Sequence, residues 1–137
     1  MATIKLDLTK QQGKIKPLHA GGQPPVVSNA GNAFFHYLTE AGIPYSRLHD
    51  VGGAFGGNKY VDVPNVFRNF DADVNDPANY DFTFTDVLLE HLAAAGVEAY
   101  YRLGITIENA AKVKGYFNAP PADYQKWAEI CEHIIRH

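Results

Sequence analysis

Two basic side chains, Arg47 and His49, stand two positions apart in residues 43–49 (IPYSRLH). This segment predicts a β-strand, and side chains two apart on a strand lie on the same face. Near the C-terminal end of the strand they are expected to point into the mouth of an α/β fold, where they can bind a polar ligand. The alternative to ligand binding is a structural role, in which Arg47 pairs with a carboxylate and His49 is hydrogen-bonded. Either role satisfies these polar groups, and burying them without a partner would be costly.

A third histidine, His19, is expected to end an earlier strand, residues 14–20, in the same way. With His49 and Asp50 it supplies three candidate ligands, and three protein ligands are the minimum of a catalytic zinc site. No His-x-His pair anchors such a site. We therefore expect no metal and no cofactor, and we keep a metal-dependent hydrolase using these three residues as an alternative.

Three further features argue against other chemistries. The glycine-rich loop at residues 52–57 resembles a phosphate-binding loop, which requires Gly-Lys followed by Ser or Thr. Here Asn58 separates Gly57 from Lys59, and Tyr60 replaces the Ser or Thr, so the phosphate-binding motif is rejected. Glu108 follows the third strand, and a bond to the backbone or to Arg102 is favoured over a role as general acid or base. The single cysteine, Cys131, excludes an internal disulfide and lies on an apolar helix face.

The elements that position these residues alternate along the chain. Ser28 or Asn29 is expected to cap a first helix that ends at Gly42, and the strand at residues 43–49 follows. A long loop at residues 50–81 leads to a second helix at residues 84–95, ended by Gly96. A third strand at residues 97–103 and a loop at residues 104–121 precede a third helix at residues 124–137.

The apolar faces of the three helices follow from helical spacing. The first helix is predicted to bury Phe34, Tyr37, Leu38 and Ala41, and the second to bury Phe84, Leu88, Leu92 and Ala95. The third is predicted to bury Tyr124, Trp127, Ala128, Cys131, Ile134 and Ile135.

Strands that alternate with helices predict an α/β fold with a parallel sheet. The longer connections follow the strands, as in a (β/α)8 TIM barrel of about 250 residues. We therefore expect residues 1–137 to be the N-terminal portion of such a barrel, with residues 1–13 leading and residues 14–137 forming the first three βα units. A small open parallel α/β sheet is the alternative. An incomplete barrel leaves sheet edges unpaired, which predicts self-association.

Composition limits the class of protein. The chain is 46% hydrophobic and 20% charged, with a net charge of -3, which is typical of a globular domain and gives no support for nucleic-acid binding. No apolar run reaches the length of a membrane span, and the first residues do not form a signal peptide. A cytoplasmic location is expected.

Four segments together resemble glycoside hydrolase family 39, which contains β-xylosidases and α-L-iduronidases. They are Tyr45-Ser-Arg-Leu-His-Asp50, the loop Val51-Gly-Gly-Ala-Phe-Gly-Gly57, Tyr80-Asp-Phe-Thr-Phe-Thr-Asp86 and Tyr101-Arg-Leu-Gly-Ile-Thr-Ile-Glu-Asn109. The resemblance runs from about residue 14 to residue 137. It implies a TIM barrel that hydrolyses glycosides with retention, through one glutamate as acid/base and another as nucleophile.

The resemblance implies sugar-binding roles for some residues of this chain. His49 matches a histidine that contacts the sugar, His19 matches a second one, Arg47 supports the site from the barrel interior, and Phe55 contributes to the rim. The acid/base belongs to an Asn-Glu-Pro motif after the fourth strand and the nucleophile follows the seventh. Both positions lie beyond residue 137, so no catalytic residue is assigned.

The predicted function is thus the N-terminal part of a retaining, β-xylosidase-like glycosidase that binds a xyloside or related carbohydrate. The 137 residues alone are expected to be inactive. A non-catalytic carbohydrate-binding or assembly module is the second hypothesis, and the metal-dependent hydrolase is the third.

Overall fold

The computed structural model describes residues 3–27, 34–48, 51, 61–105 and 120–137. In chain order the elements are β1 (Ala20–Gly21), α1 (His36–Glu40), β2 (Tyr45–Arg47), α2 (Val63–Val66), a 3-10 helix (Pro77–Asn79), α3 (Thr83–Ala94), β3 (Glu98–Tyr100) and α4 (Tyr124–Arg136).

The three strands form one open, parallel sheet in the order β1-β2-β3. Ala20 pairs with Tyr45, and Tyr45 pairs with Glu98, so the strands start at similar heights. The parallel α/β architecture predicted from the sequence is confirmed. Over the described ranges the sheet is open and three-stranded, which agrees with the predicted small open sheet, and the barrel stays a proposal.

The first strand is shorter than expected. Residues 14–19 belong to no strand and are exposed, and β1 begins only at Ala20. Pro17 lacks the backbone N–H that a ladder bond requires, which weakens this segment as a strand. The prediction of a strand over residues 14–20 is therefore wrong in all but its last residue.

Glycine ends two helices as predicted. Gly42 follows α1 with φ of 63° and Gly96 follows α3 with φ of 72°, values that residues with a Cβ rarely adopt. The predicted second and third helices correspond closely to α3 and α4. α4 is capped by Asp123, whose side chain accepts a hydrogen bond of 3.0 Å from the backbone N–H of Lys126.

The face predicted for the first helix is partly wrong. Phe34 and Tyr37 are 59% and 56% exposed, whereas Phe35 is buried. α1 begins only at His36, so residues 34 and 35 lie in a turn where helical spacing does not apply. The proposed caps Ser28 and Asn29 lie outside the described residues.

The face of α4 also differs from the prediction. Tyr124 and Ile135 are exposed, while Ile130, absent from the predicted face, is completely buried. The buried side of α4 consists of Ile130, Cys131 and Ile134, spaced i, i+1 and i+4, and Trp127 packs beside it. Ile135 is therefore turned away from the core.

Much of the predicted long loop is structured. α2 and the 3-10 helix lie within residues 61–81, and Val63, Val66, Phe67 and Phe70 form a core cluster with Ile130 and Ile134 of α4. A second cluster joins α3 to the sheet and comprises Phe35, Leu48, Val51, Val61, Leu88, Leu92 and Val97. Tyr101 packs against both clusters, so it connects the two halves of the core.

Within the described ranges, the helices are all too short or too polar to cross a membrane.

Candidate functional site

The two faces of the sheet differ in burial. Ser46 and Leu48 of the β2 segment are buried on the side of the helices, whereas Tyr45 and Arg47 are exposed on the other side. Glu98 and Tyr100 pair with Tyr45 and Arg47 and are also exposed. These four side chains define the open face. On it, Tyr45 lies opposite Glu98 and Arg47 lies opposite Tyr100, so each charged side chain has a tyrosine beside it.

Arg47 is the last residue of β2 and lies at the C-terminal end of the sheet. Open α/β sheets bind their ligands at that end. The Arg47 guanidinium forms no hydrogen bond or ion pair with any residue in the described ranges. His49, Asp50, Phe55 and Glu108 lie outside those ranges, so their predicted roles remain predictions.

His19 lies at the other end of the sheet. It directly precedes β1, and its Nε2 atom is 2.8 Å from the backbone oxygen of Gly42, which lies before β2. The expectation that His19 ends the first strand is therefore wrong, because that strand begins after it. The fold does not bring His19 together with Arg47.

A buried ion pair that sequence reasoning missed lies near the C-terminal end of β3. One Asp62 carboxylate oxygen is 3.3 Å from the guanidinium of Arg102, and the Asp62 side chain is 1% exposed. Such a pair requires good geometry because both charges lose water. The available signal was an aspartate between two valines, Val61 and Val63, in an otherwise apolar run.

Residues 61–63 are hydrogen-bonded to residues 101–104, and the Tyr101 side chain makes one of these bonds. Its hydroxyl donates a 2.6 Å hydrogen bond to the backbone oxygen of Val61, and the N–H of Val63 donates to the oxygen of Gly104 at 3.0 Å. Burial raises the pKa of Tyr101 well above its ordinary value; a hydrogen bond with Thr85 opposes this shift, and the Asp62 carboxylate adds to it. Tyr101 therefore stays neutral and acts as a structural donor.

Among the described residues, the side chains suit the binding of a ligand better than metal or thiol chemistry. In those ranges no three His, Cys, Asp or Glu side chains lie close enough together to hold a metal ion. Cys131 is buried, and burial raises its pKa to about 11, which keeps the thiol protonated and unreactive at neutral pH. A guanidinium between exposed tyrosines can bind hydroxyl groups and the apolar face of a ring.

A groove of about 460 Å³ lies on the helix side of the sheet, between α3, β3 and α4. Its walls are mostly apolar, and at one rim His137 Nε2 is 2.8 Å from Asp86 Oδ1. The ring of His137 stacks on Phe82 with a centroid distance of 3.7 Å. This groove lies behind the strands, apart from the open face that carries Arg47.

In comparisons with known proteins, no family model, no curated protein and no solved structure matches the chain.

Proposed function

We propose that this chain contributes sugar-binding side chains to a retaining, β-xylosidase-like glycoside hydrolase built on a (β/α)8 barrel. One observation carries the proposal. The segment Tyr45-Ser-Arg-Leu-His-Asp50, on which the resemblance to glycoside hydrolase family 39 depends, includes β2, and Arg47 lies exposed at its C-terminal end. Parallel α/β folds bind their substrates at that end.

In this proposal Arg47 and His49 hold sugar hydroxyls, and Phe55 contributes to the rim of the site. His19 is left out, because it precedes β1 at the far end of the sheet. The metal site of His19, His49 and Asp50 stays an untested alternative, because His49 and Asp50 lie outside the described residues. Bond cleavage in a retaining glycosidase needs two carboxyl groups about 5–5.5 Å apart, and the proposal assigns neither of them to a residue of this chain, only sugar-binding roles.

The binding part of the proposal is tested by titrating the chain with xylose and with a xylo-oligosaccharide in a calorimeter. Arg47→Ala and His49→Ala are expected to weaken binding at least about tenfold each, as the loss of a hydrogen bond to a charged group predicts. Arg136→Ala is the matched control, because Arg136 is an exposed arginine on α4 that pairs only locally with Glu132. Equal affinity of all variants would reject the assigned site.

The catalytic part is tested by reading the coding DNA past the codon of His137. An open frame that encodes an Asn-Glu-Pro motif and a second glutamate supports the glycosidase. A stop codon at that point rejects it. Turnover of an aryl β-xyloside by the pure 137-residue chain would also contradict the proposal.

A non-catalytic carbohydrate-binding or assembly module is the second candidate, and one observation favours it. Tyr45 and Tyr100 flank Arg47 on the open face, and Tyr100 is 65% exposed. Exposed tyrosines on a sheet face suit the apolar faces of sugar rings. Saturable sugar binding that is lost in Tyr100→Ala, in a gene that stops after His137, would establish this function instead.

A further inference from the structure

The open face extends past the end of β3. Tyr100 is the last residue of that strand, yet the alternation of side chains continues beyond it. The groove on the helix side is lined by three alternate residues of this segment, Ala99, Tyr101 and Leu103. Because successive side chains of an extended segment point to opposite faces, Arg102 lies on the same side as Glu98 and Tyr100.

Arg102 lies near Arg47, to which the proposed function assigns a sugar contact. Arg47 pairs with Tyr100 in the parallel ladder, and the N–H of Leu48 donates to the oxygen of Tyr100 at 3.1 Å. Arg102 follows Tyr100 by two positions, so it is the next side chain on this face toward the C-terminal end of the sheet. The two arginines therefore share the end at which parallel α/β folds bind their ligands.

The ion pair between Asp62 and Arg102 is not needed to join residues 61–63 to the end of the β3 segment. Two hydrogen bonds already join them, from the Tyr101 hydroxyl to the oxygen of Val61 and from the N–H of Val63 to the oxygen of Gly104. A buried ion pair also adds little net stability compared with apolar side chains of similar size. Orienting the guanidinium of Arg102 is the further role that this pair can serve.

The two members of the pair differ in burial. The Asp62 side chain is 1% exposed, whereas the Arg102 side chain is 24% exposed. An arginine carries five N–H donors in a rigid planar fork, so a carboxylate that holds one terminal nitrogen fixes the direction of the whole group. Asp62 is therefore placed to orient the guanidinium, and Arg102 is placed to reach a ligand. Because the pair carries no net charge, it suits the hydroxyl groups of a neutral sugar.

We infer that Arg102 is a further sugar-binding residue, which donates hydrogen bonds to sugar hydroxyls from the β3 side of the site, and that Asp62 positions its guanidinium. The inference rests on the proposed function, to which it adds a donor that the resemblance does not assign. Arg47 and Arg102 then hold one sugar from two neighbouring strands. Binding residues whose orientation is fixed by a buried partner lose less freedom when the ligand arrives.

The first test is the calorimetric titration of Arg102→Lys with xylotriose. Lysine keeps a positive charge beside Asp62, so the fold is expected to be retained, and circular dichroism with urea unfolding checks this. The planar fork is lost, which should raise the dissociation constant at least about fivefold. Arg68→Lys is the matched control, because Arg68 pairs with Asp81 at 2.9 Å outside the β2 and β3 segments, and its affinity for xylotriose should be unchanged.

Sugars that lack one hydroxyl distinguish a direct contact from an effect through the fold. Methyl xylosides without the hydroxyl at C2, C3 or C4 are titrated into the unchanged chain and into Arg102→Lys. Loss of the hydroxyl that Arg102 binds should weaken binding about fivefold in the unchanged chain and less than about twofold in the variant, because the partner is already gone. A purely structural role predicts the same loss in both chains for every hydroxyl.

Asp62→Asn tests the positioning role. Asparagine keeps the shape of the side chain and one oxygen that can accept from Arg102, but it removes the charge that holds the guanidinium. The dissociation constant should rise about threefold. Since Asp62 acts through Arg102, Asp62→Asn combined with Arg102→Lys should bind no more weakly than Arg102→Lys alone. Multiplied losses in the double variant would show that Asp62 does not act through Arg102.

The outcomes separate this inference from the proposed function. Xylotriose binding that is weakened by Arg47→Ala but is unchanged in a folded Arg102→Lys chain overturns the inference and leaves the proposed function in place. Equal losses for every deoxy sugar in both chains also overturn the inference. Absence of xylotriose binding by the unchanged chain overturns both.

Discussion

At the scale of single residues, the structure separates groups that hold the fold from groups that are free to bind. Arg47 is exposed at the end of β2, whereas Asp62 is buried and meets Arg102. Both are charged residues close to the C-terminal ends of strands. Position at a strand end therefore does not by itself identify a binding residue. The burial of the charged group and its ion-pair partners distinguish a binding residue from a structural one.

Ser46 carries a hydroxyl that is buried in the core. Its side chain is completely buried, and its Oγ has no hydrogen-bond partner among the described residues. Ser46→Ala is expected to leave the free energy of unfolding unchanged or to raise it by about 1 kcal/mol, because an unsatisfied buried hydroxyl is costly. Urea unfolding measures the change.

Thr39→Ala is the control for this prediction, because the Thr39 hydroxyl donates a 2.8 Å bond to the oxygen of Ala95. It should lower the free energy of unfolding by about 1 kcal/mol. A loss in Ser46→Ala as large as that in Thr39→Ala would contradict the prediction.

Tyr80 links stability to alkaline pH. Burial, with the charges of Glu129 and Asp73, raises its pKa from 10.0 to about 12. Because the folded state holds this proton more tightly than the unfolded state, the contribution is complete below pH 10 and is lost as the pH rises toward 12. The free energy of unfolding should therefore fall over that range.

Tyr80→Phe should make this alkaline decline shallower. At neutral pH the variant should be about 1 kcal/mol less stable, because the hydroxyl no longer donates to the oxygen of Val74. Urea unfolding at a series of pH values gives both results, and an unchanged alkaline slope would show that Tyr80 does not carry the effect.

At the scale of elements, the ends of the helices depend on local backbone preferences, whereas their buried faces depend on tertiary contacts. Gly42 and Gly96 end their helices through a local backbone preference, and such preferences can be predicted from the sequence. The buried faces of α1 and α4 depend instead on which neighbour each helix meets. Ile130 is buried because residues 63–74, which were predicted as loop, cover that side of α4.

The N-cap of α4 gives a prediction at this scale. Asp123→Ala should lower the free energy of unfolding by about 1 kcal/mol, because the N–H of Lys126 loses its acceptor. Asp123→Asn keeps an accepting oxygen and is the matched control, so it should retain most of the stability. Equal losses in the two variants would assign the effect to the charge of Asp123 near the helix start.

At the scale of the whole molecule, two core clusters support one small sheet. The cluster under α3 packs against the buried side of the sheet, and the cluster under α4 rests mainly on residues 63–74. Tyr101 contacts both clusters, and its hydroxyl bonds to Val61. Residues 61–74 therefore contribute to both parts of the core.

Truncation of Ile130 tests that arrangement. Ile130→Ala should cost about 2–5 kcal/mol of unfolding free energy, the range for a fully buried aliphatic side chain. Ile135→Ala is the control, because Ile135 is mostly exposed in the single chain, and it should cost far less. Thermal unfolding of dilute protein compares them, and similar losses in both variants would contradict the described packing of α4.

The sequence by itself determined the parallel α/β class, the alternation of the three strands with α1, α3 and α4, and the approximate extents of α3 and α4. These follow from local signals, namely apolar periodicity and the glycines Gly42 and Gly96 that end two helices. Only the tertiary structure decided that His19 precedes β1, that Phe35 rather than Phe34 is buried, and that Asp62 meets Arg102. These features arise from contacts between residues far apart in the chain, and spacing along one strand or helix carries no information about its partner.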